Sequence, residues 1–169
     1  MKSYFIQTFG CAMNQADSEK IHMILLQSGL MKAKDISTAD LVVFNTCSVR
    51  QKGEDRVFGF MREVSDQAKY NNRPKPVIGI TGCMVRKTGM NQSYLSTDTE
   101  RKRAKKIELL ETKDGIFNAD DKLFPRSPLI DFVLRIEEVK YIPLILSHIT
   151  GTSIGKEHSF DDYLKVKQH

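Results

Sequence analysis

No tryptophan occurs among the 169 residues, and only 3 are cysteine and 5 proline. An odd, small number of cysteines cannot build a disulfide scaffold; in a cytosolic chain such thiols are ligands, nucleophiles or inert core residues. No apolar run approaches the ~18 residues of a membrane span. The longest are four or five residues, such as Leu41-Val42-Val43-Phe44 and Ile142 to Leu146. After Lys2, only Tyr4-Phe5-Ile6 precede polar residues, which is not a secretory signal. These absences lead us to expect a cytoplasmic chain with no membrane partner. Gly-x-Gly-x-x-Gly and P-loop signatures are missing too, which removes the usual nucleotide-binding motifs. Low hydrophobicity is not among the absences: at 40% hydrophobic, the chain has the composition of one ordered domain rather than a disordered one. A net charge of +5 is mild support for a polyanionic partner such as RNA.

Within the first ninety residues one pattern occurs three times. A short β-branched or aromatic run ends in a turn that carries a cysteine: Tyr4-Phe5-Ile6-Gln7-Thr8-Phe9-Gly10-Cys11, Leu41-Val42-Val43-Phe44-Asn45-Thr46-Cys47 and Pro76-Val77-Ile78-Gly79-Ile80-Thr81-Gly82-Cys83. Runs of this length bounded by turn residues read as buried strands of a parallel sheet. Between them lie helical patterns. From Gln15 to Ser28, Ile21, Ile24 and Leu25 fall at helical spacing, with Asn14 as the expected N-cap and Gly29 as the stop. From Arg50 to Tyr70, Val57, Met61, Val64 and Ala68 form a stripe that closes at Asn71-Asn72-Arg73-Pro74. Leu129 to Leu134 reads as a further strand, and Ile136 to Ile149 as helical with a restart at Pro143. The expected fold is α/β: an open parallel sheet of the Rossmann or flavodoxin-like kind, with about four to five strands and flanking helices. We expect a domain at 1–150 interrupted by a charged insertion at about 88–128, with a helix near Glu100 to Leu110, and a linker or tail at 151–169.

The spacing of the cysteines turns this fold into a site. They stand 36 residues apart (47 − 11 and 83 − 47), each just past the carboxyl end of an expected strand. In an open parallel sheet those ends share the edge at which ligands bind. Adjacent strands are about 4.8 Å apart, so thiols distant in sequence would meet within roughly 10 Å. Gly10 and Gly82, immediately before two of them, permit sharp turns. Thr8, Asn14, Asn45, Thr46, Ser48 and Thr81 are candidates to hydrogen-bond a sulfur-rich anion, and Arg50 to contact substrate or offset its charge. A structural zinc would want four ligands, usually in close pairs, and neither such pairs nor a histidine beside the cysteine loops exists. An iron–sulfur cluster suits separated loops better, and three thiolates on four irons leave one iron open. Against this stands the reading of each cysteine as a small buried hydrophobe in a metal-free nucleotide- or RNA-binding α/β module. Arg101, Lys102, Arg103, Lys105 and Lys106 place five cations in six residues, either an RNA phosphate contact or a solvated helix face.

Thr8-Phe9-Gly10-Cys11-Ala12-Met13-Asn14-Gln15-Ala16-Asp17-Ser18-Glu19 resembles the opening motif of the radical-SAM methylthiotransferases. Asn45-Thr46-Cys47-Ser48-Val49-Arg50 and Gly79-Ile80-Thr81-Gly82-Cys83-Met84 resemble the second and third. Asn-Thr-Cys-Ser-Val-Arg looks like the tRNA 2-methylthio-dimethylallyladenosine synthase branch. The resemblance covers residues 1 to 87 well, with a weaker echo in Ile130-Asp131-Phe132-Val133 and Ile142-Pro143-Leu144-Ile145-Leu146. It implies that Cys11, Cys47 and Cys83 ligate an auxiliary [4Fe-4S] cluster in an N-terminal methylthiotransferase domain. The open iron would hold the sulfur destined for an adenosine of tRNA, replenished by a sulfur donor. The family's second cluster, which binds S-adenosylmethionine, needs a Cys-x-x-x-Cys-x-x-Cys motif absent here. The C-terminal RNA-binding module is also absent. The chain is therefore expected to be inactive alone and to work with a radical-SAM domain in cis or in trans. Ala12 stands where the family commonly has Gln, and Arg135-Ile136 where Gly-Thr is common.

Overall fold

The computed structural model describes residues 1–47, 51–82, 85 and 127–155, with the side chains of 51–55 excepted. The expected helix near Glu100 to Leu110 falls outside these residues, as does most of the charged insertion. Five strands form one all-parallel sheet: β1 (Ser3–Thr8), β2 (Met31–Lys32), β3 (Leu41–Thr46), β4 (Val77–Gly82) and β5 (Phe132–Val133). Their spatial order is β2-β1-β3-β4-β5, the flavodoxin-like arrangement of an open α/β sheet. Helix α1 (Ala12–Gln27) follows β1, α2 (Gln51–Tyr70) follows β3, and α3 (Ile142–Thr150) follows β5 through a 3-10 segment at Ile136–Tyr141.

Two cores sandwich the sheet. On one face Ile21 and Leu25 of α1 pack with Ile142, Ile145 and Leu146 of α3 against Tyr4, Leu41, Val43 and Phe132. On the other, Val57, Met61 and Val64 of α2 pack against Val42, Phe44, Ile78 and Ile80. Alternate residues of β3 feed opposite cores, so all six of its positions are buried. A parallel strand covered on both faces reads as an unbroken apolar run for this reason. The α2 stripe at Val57, Met61, Val64 and Ala68 is buried as its spacing implied, and Gly29 ends α1, where Leu30 N–H reaches back to Leu25 O.

The differences have physical causes. β2 was not expected; its two exposed residues sit on the sheet edge and have no apolar pattern to announce them. Helix α1 begins at Ala12, with Cys11 as N-cap and Asn14 at the third helical position rather than as cap. The expected strand over Leu129 to Leu134 shortens to Phe132–Val133. Its start is held by a carboxylate: Asp131 accepts the Ile78 N–H at 2.8 Å and the Lys75 ammonium at 2.7 Å, while Asp131 N–H reaches Ile78 O at 2.8 Å. The packed body also runs past residue 150, since Ile154 is buried and its N–H meets Ser147 Oγ at 2.7 Å. No helix among the described residues is long and apolar enough to cross a membrane.

Asp131 substitutes for a missing strand acceptor, whereas its ion pair with Lys75 is partly exposed and screened. Asp131→Ala should cost about 1–3 kcal/mol in urea unfolding, the range for stranding a hydrogen-bonding group. Lys75→Ala should cost less than about 1 kcal/mol. Equal losses would show that the ion pair, not the backbone contact, holds β5.

Candidate metal centre

Strand order places the cysteine loops. β1 leads through α1 to β2 on one side; β3 leads through α2 to β4 on the other. The direction of winding reverses between β1 and β3, and in open α/β sheets that crevice at the carboxyl edge receives the ligand. β1 and β3 pair in register from Tyr4↔Leu41 to Thr8↔Asn45, so their ends, and the cysteines that follow, flank the reversal point. Phe9 N–H continues the contact to Asn45 O at 2.7 Å. Three residues then separate β1 from α1.

Gly10 makes that short turn possible. Its φ is 146°, and a Cβ there would lie 2.4 Å from Asn14 Oδ1 and 3.0 Å from the Cβ of Cys47. The backbone at Gly10 is thus pressed against the second cysteine, and any side chain would force the two loops apart. Cys11 emerges exposed at the N-terminus of α1, while Cys47 is half-buried at the end of β3. Gly82 closes β4 with φ 97°, and a Cβ there would meet Thr46 O at 2.3 Å. Cys83, Ser48, Arg50 and the basic residues Arg101, Lys102, Arg103, Lys105 and Lys106 lie outside the described residues.

Beneath the two loops runs a chain of buried polar groups. Asn14 and Asn45 are 1% and 0% exposed, so their amides must find partners inside the protein. Asn14 Nδ2 donates to Asn45 Oδ1 at 3.1 Å and to Thr46 O at 3.3 Å. Asn45 Nδ2 donates to Asn14 O at 2.7 Å and to Ser18 Oγ at 2.9 Å. Ser18 Oγ in turn meets Thr8 Oγ1 at 2.7 Å, and Thr46 Oγ1 donates to Thr81 O at 2.9 Å. Asn14 Oδ1 also faces Cys11 N–H, at 3.4 Å. The network ties the start of α1 to the ends of β1, β3 and β4.

Most of the described residues expected to hydrogen-bond a sulfur have hydrogen-bond partners within the protein. Both amide protons of Asn14 and of Asn45 are committed to protein oxygens, and the one hydroxyl proton of Thr46 is committed to Thr81 O. Thr8 is paired with Ser18. These side chains buttress the cysteine loops. Thr81 alone among the described candidates has a buried hydroxyl with no partner. Ser18 was missed as a member of the site, although its place one helical turn after Asn14 put it on the same face.

Electrostatics favour a thiolate at Cys11. The backbone N–H groups of Asn14 and then Met13 hold its thiol below the ordinary value, against the opposing effects of desolvation and of the Asp17 charge. The open N–H groups of a helix start make it a place for negative charge. His22, the histidine nearest in sequence to Cys11, is engaged elsewhere: its Nδ1 meets the hydroxyl of buried Tyr4. At the carboxyl end of β5, Arg135 is paired with Glu138, and both are buried. Among the described residues no three His, Cys, Asp or Glu side chains gather as metal ligands. What they do provide fits a thiolate-held group: two cysteines at the crevice, one favoured as thiolate, and an unsatisfied hydroxyl at the same edge.

Residues 3–102 match the uncharacterized protein family UPF0004. A tRNA-2-methylthio-N(6)-dimethylallyladenosine synthase of Clostridium botulinum is 41% identical over 93 residues, which is 55% of this chain and 20% of the relative. That of Syntrophomonas wolfei is 48% identical over 82 residues, 48% of this chain and 18% of the relative. In that of Dictyoglomus thermophilum the likeness runs over 151 residues at 32% identity, 89% of this chain and 27% of the relative. The chain thus spans about a fifth to a quarter of the length of the curated relatives it matches. The family match covers more than half of its residues, and the chain belongs to the family UPF0004, the N-terminal domain of the methylthiotransferases that its cysteine motifs resemble.

Proposed function

We propose that this chain is the cluster-binding, sulfur-presenting domain of a tRNA methylthiotransferase that methylthiolates a modified adenosine of tRNA. Cys11, Cys47 and Cys83 would hold a [4Fe-4S] cluster with one open iron, and the cluster supplies the sulfur chemistry when bound. The observation that carries the reading is the placement of Cys11 and Cys47 on either side of the winding reversal. Two thiols delivered to a ligand crevice by a network of buried amides are not a pattern of inert core cysteines.

The chain's own residues have distinct tasks in this reading. Gly10 lets the Cys11 loop lie against Cys47, Asn14 and Asn45 lock both loops to the sheet, and the start of α1 stabilises negative charge on Cys11. Ser48 and Arg50 would contact the group or its substrate, and the cations from Arg101 to Lys106 would meet tRNA phosphates. Radical generation from S-adenosylmethionine, with its own cluster, belongs to a radical-SAM domain in cis or in trans, since every cysteine of this chain is already assigned. A sulfur donor would restore the cluster in the cytoplasm, and this chain alone would not complete the reaction.

Anaerobic reconstitution with iron and sulfide should load about four irons per chain. Cys47→Ser should lose most of them. Stoichiometric zinc without iron, or a triple-cysteine variant that keeps its fold and binds RNA undiminished while the wild type takes no iron, would instead indicate a metal-free module.

Asn14→Ala removes the bridge between the loops and leaves Asn45 Oδ1 stranded. It should cost about 1–3 kcal/mol of stability and lower iron retention. Unchanged retention at equal protein concentration would show that the loops hold their geometry without the bridge.

The reactive form of a thiol is the thiolate, so a lowered Cys11 value predicts unusually fast alkylation at neutral pH. In the cluster-free chain the rate for Cys11 against pH, followed by mass spectrometry of the modified peptide, should have its midpoint below that of an ordinary cysteine. A midpoint at or above it would remove the helix-start contribution.

A further inference from the structure

We infer that the hydroxyl of Thr81 is a hydrogen-bond donor to a sulfur of the group bound at the cysteine crevice, an inference that rests on the cluster reading above. Three observations lead there. Thr81 is 1% exposed and its Oγ1 has no hydrogen-bond partner in the protein. Leaving a buried hydroxyl unsatisfied weakens the folded state, so such groups as a rule have partners, protein or otherwise. Its position is at the ligand edge: the penultimate residue of β4, beside Asn45 in register and immediately before the turn at Gly82.

The third observation is the account of protons. Asn14, Asn45 and Thr46 have none left to give, and Thr8 is tied to Ser18. A thiolate-ligated cluster is an anion whose sulfurs accept hydrogen bonds. Among the described candidates, Thr81 holds the one buried hydroxyl that has no partner at all. A donor to a cluster sulfur favours the more negative, reduced state, so removing it makes the cluster harder to reduce.

The test uses wild type, Thr81→Val and Thr81→Ser, each reconstituted anaerobically and titrated for its reduction potential. Wild type and Thr81→Ser should match. Thr81→Val should take up the same iron with a lower potential, about a tenfold shift in the oxidised-to-reduced ratio, 59 mV for one electron. Without iron, Thr81→Val should melt no lower than wild type, because the hydroxyl has no protein partner to lose. Iron lost from a folded Thr81→Val but kept by Thr81→Ser also supports the inference. Iron lost from both variants, a wild-type potential in Thr81→Val, or a lower melting point of its iron-free form overturns it, the last two pointing to an ordered water or an unseen protein partner. A wild-type chain that takes up no iron removes the cluster reading itself and this inference with it.

Discussion

The site depends on the in-register parallel pairing of β1 with β3. Everything that brings Cys11 beside Cys47 follows from Thr8 standing opposite Asn45. Parallel strands side by side must be joined by crossovers, and these leave from the same edge of the sheet. Because α1 carries the chain to one side and α2 to the other, a crevice opens between the two departures. Were the pairing to slip by one residue, every side chain of β3 would exchange cores. Val43 and Asn45 would trade faces with Val42, Phe44 and Thr46, and Asn45 would lose Asn14. The apolar pattern that buries β3 on both sides thereby also sets the positions of the thiols.

Stability does not explain the amides at the centre of this edge. Each neutral hydrogen bond contributes a net of about 0.5–1.5 kcal/mol once the lost water contacts are counted. A fully buried leucine or isoleucine side chain contributes about 1.5–3 kcal/mol by leaving water. Two apolar residues at positions 14 and 45 would therefore hold the sheet about as well. They would not define one arrangement of the loops. The pair Asn14–Asn45 accepts a single geometry, because Asn14 Nδ2 donates to the Asn45 side chain, Asn45 Nδ2 returns a bond to the Asn14 main-chain carbonyl, and each amide also reaches a second partner. A fully satisfied polar network of this kind specifies position at little net energetic gain, and position is what a multi-thiolate ligand set requires.

Much of this was legible in the sequence. The three strands that precede the cysteines, the two helical stripes and the parallel α/β class follow from local apolar patterning, which survives folding because both faces of the central strands are covered. Less legible was what lies between. The two 36-residue intervals suggest a repeat, yet the first holds α1, β2, a 3-10 turn at Ile36–Thr38 and β3, and the second, among the described residues, α2 and β4. β2 escapes notice since an exposed two-residue edge strand carries no signal. Cys11 escapes notice as an N-cap because Ser, Thr, Asp and Asn are the residues that normally announce one. Asn14 was correctly singled out but given the wrong task, cap instead of bridge, because its partner Asn45 is 31 residues away and local spacing cannot show it. Ser18 was passed over although its spacing from Asn14 put both on one helix face.

The two described cysteines reach the crevice by different means. Cys47 directly follows a strand buried on both faces and is half-shielded, so its place is set by the sheet that ends at Thr46. Cys11 is exposed and owes its place to a helix start, where open N–H groups favour the thiolate before any ligand arrives. One thiol is thus fixed by packing, the other poised by charge. A ligand entering from solvent would meet Cys11 first, and Cys47 next only if Gly10 keeps the two loops in contact. A side chain at Gly10 would press on Asn14 and on Cys47 together. The absence of a Cβ at that position consequently couples the amide bridge to the thiol pair, and neither can shift without the other.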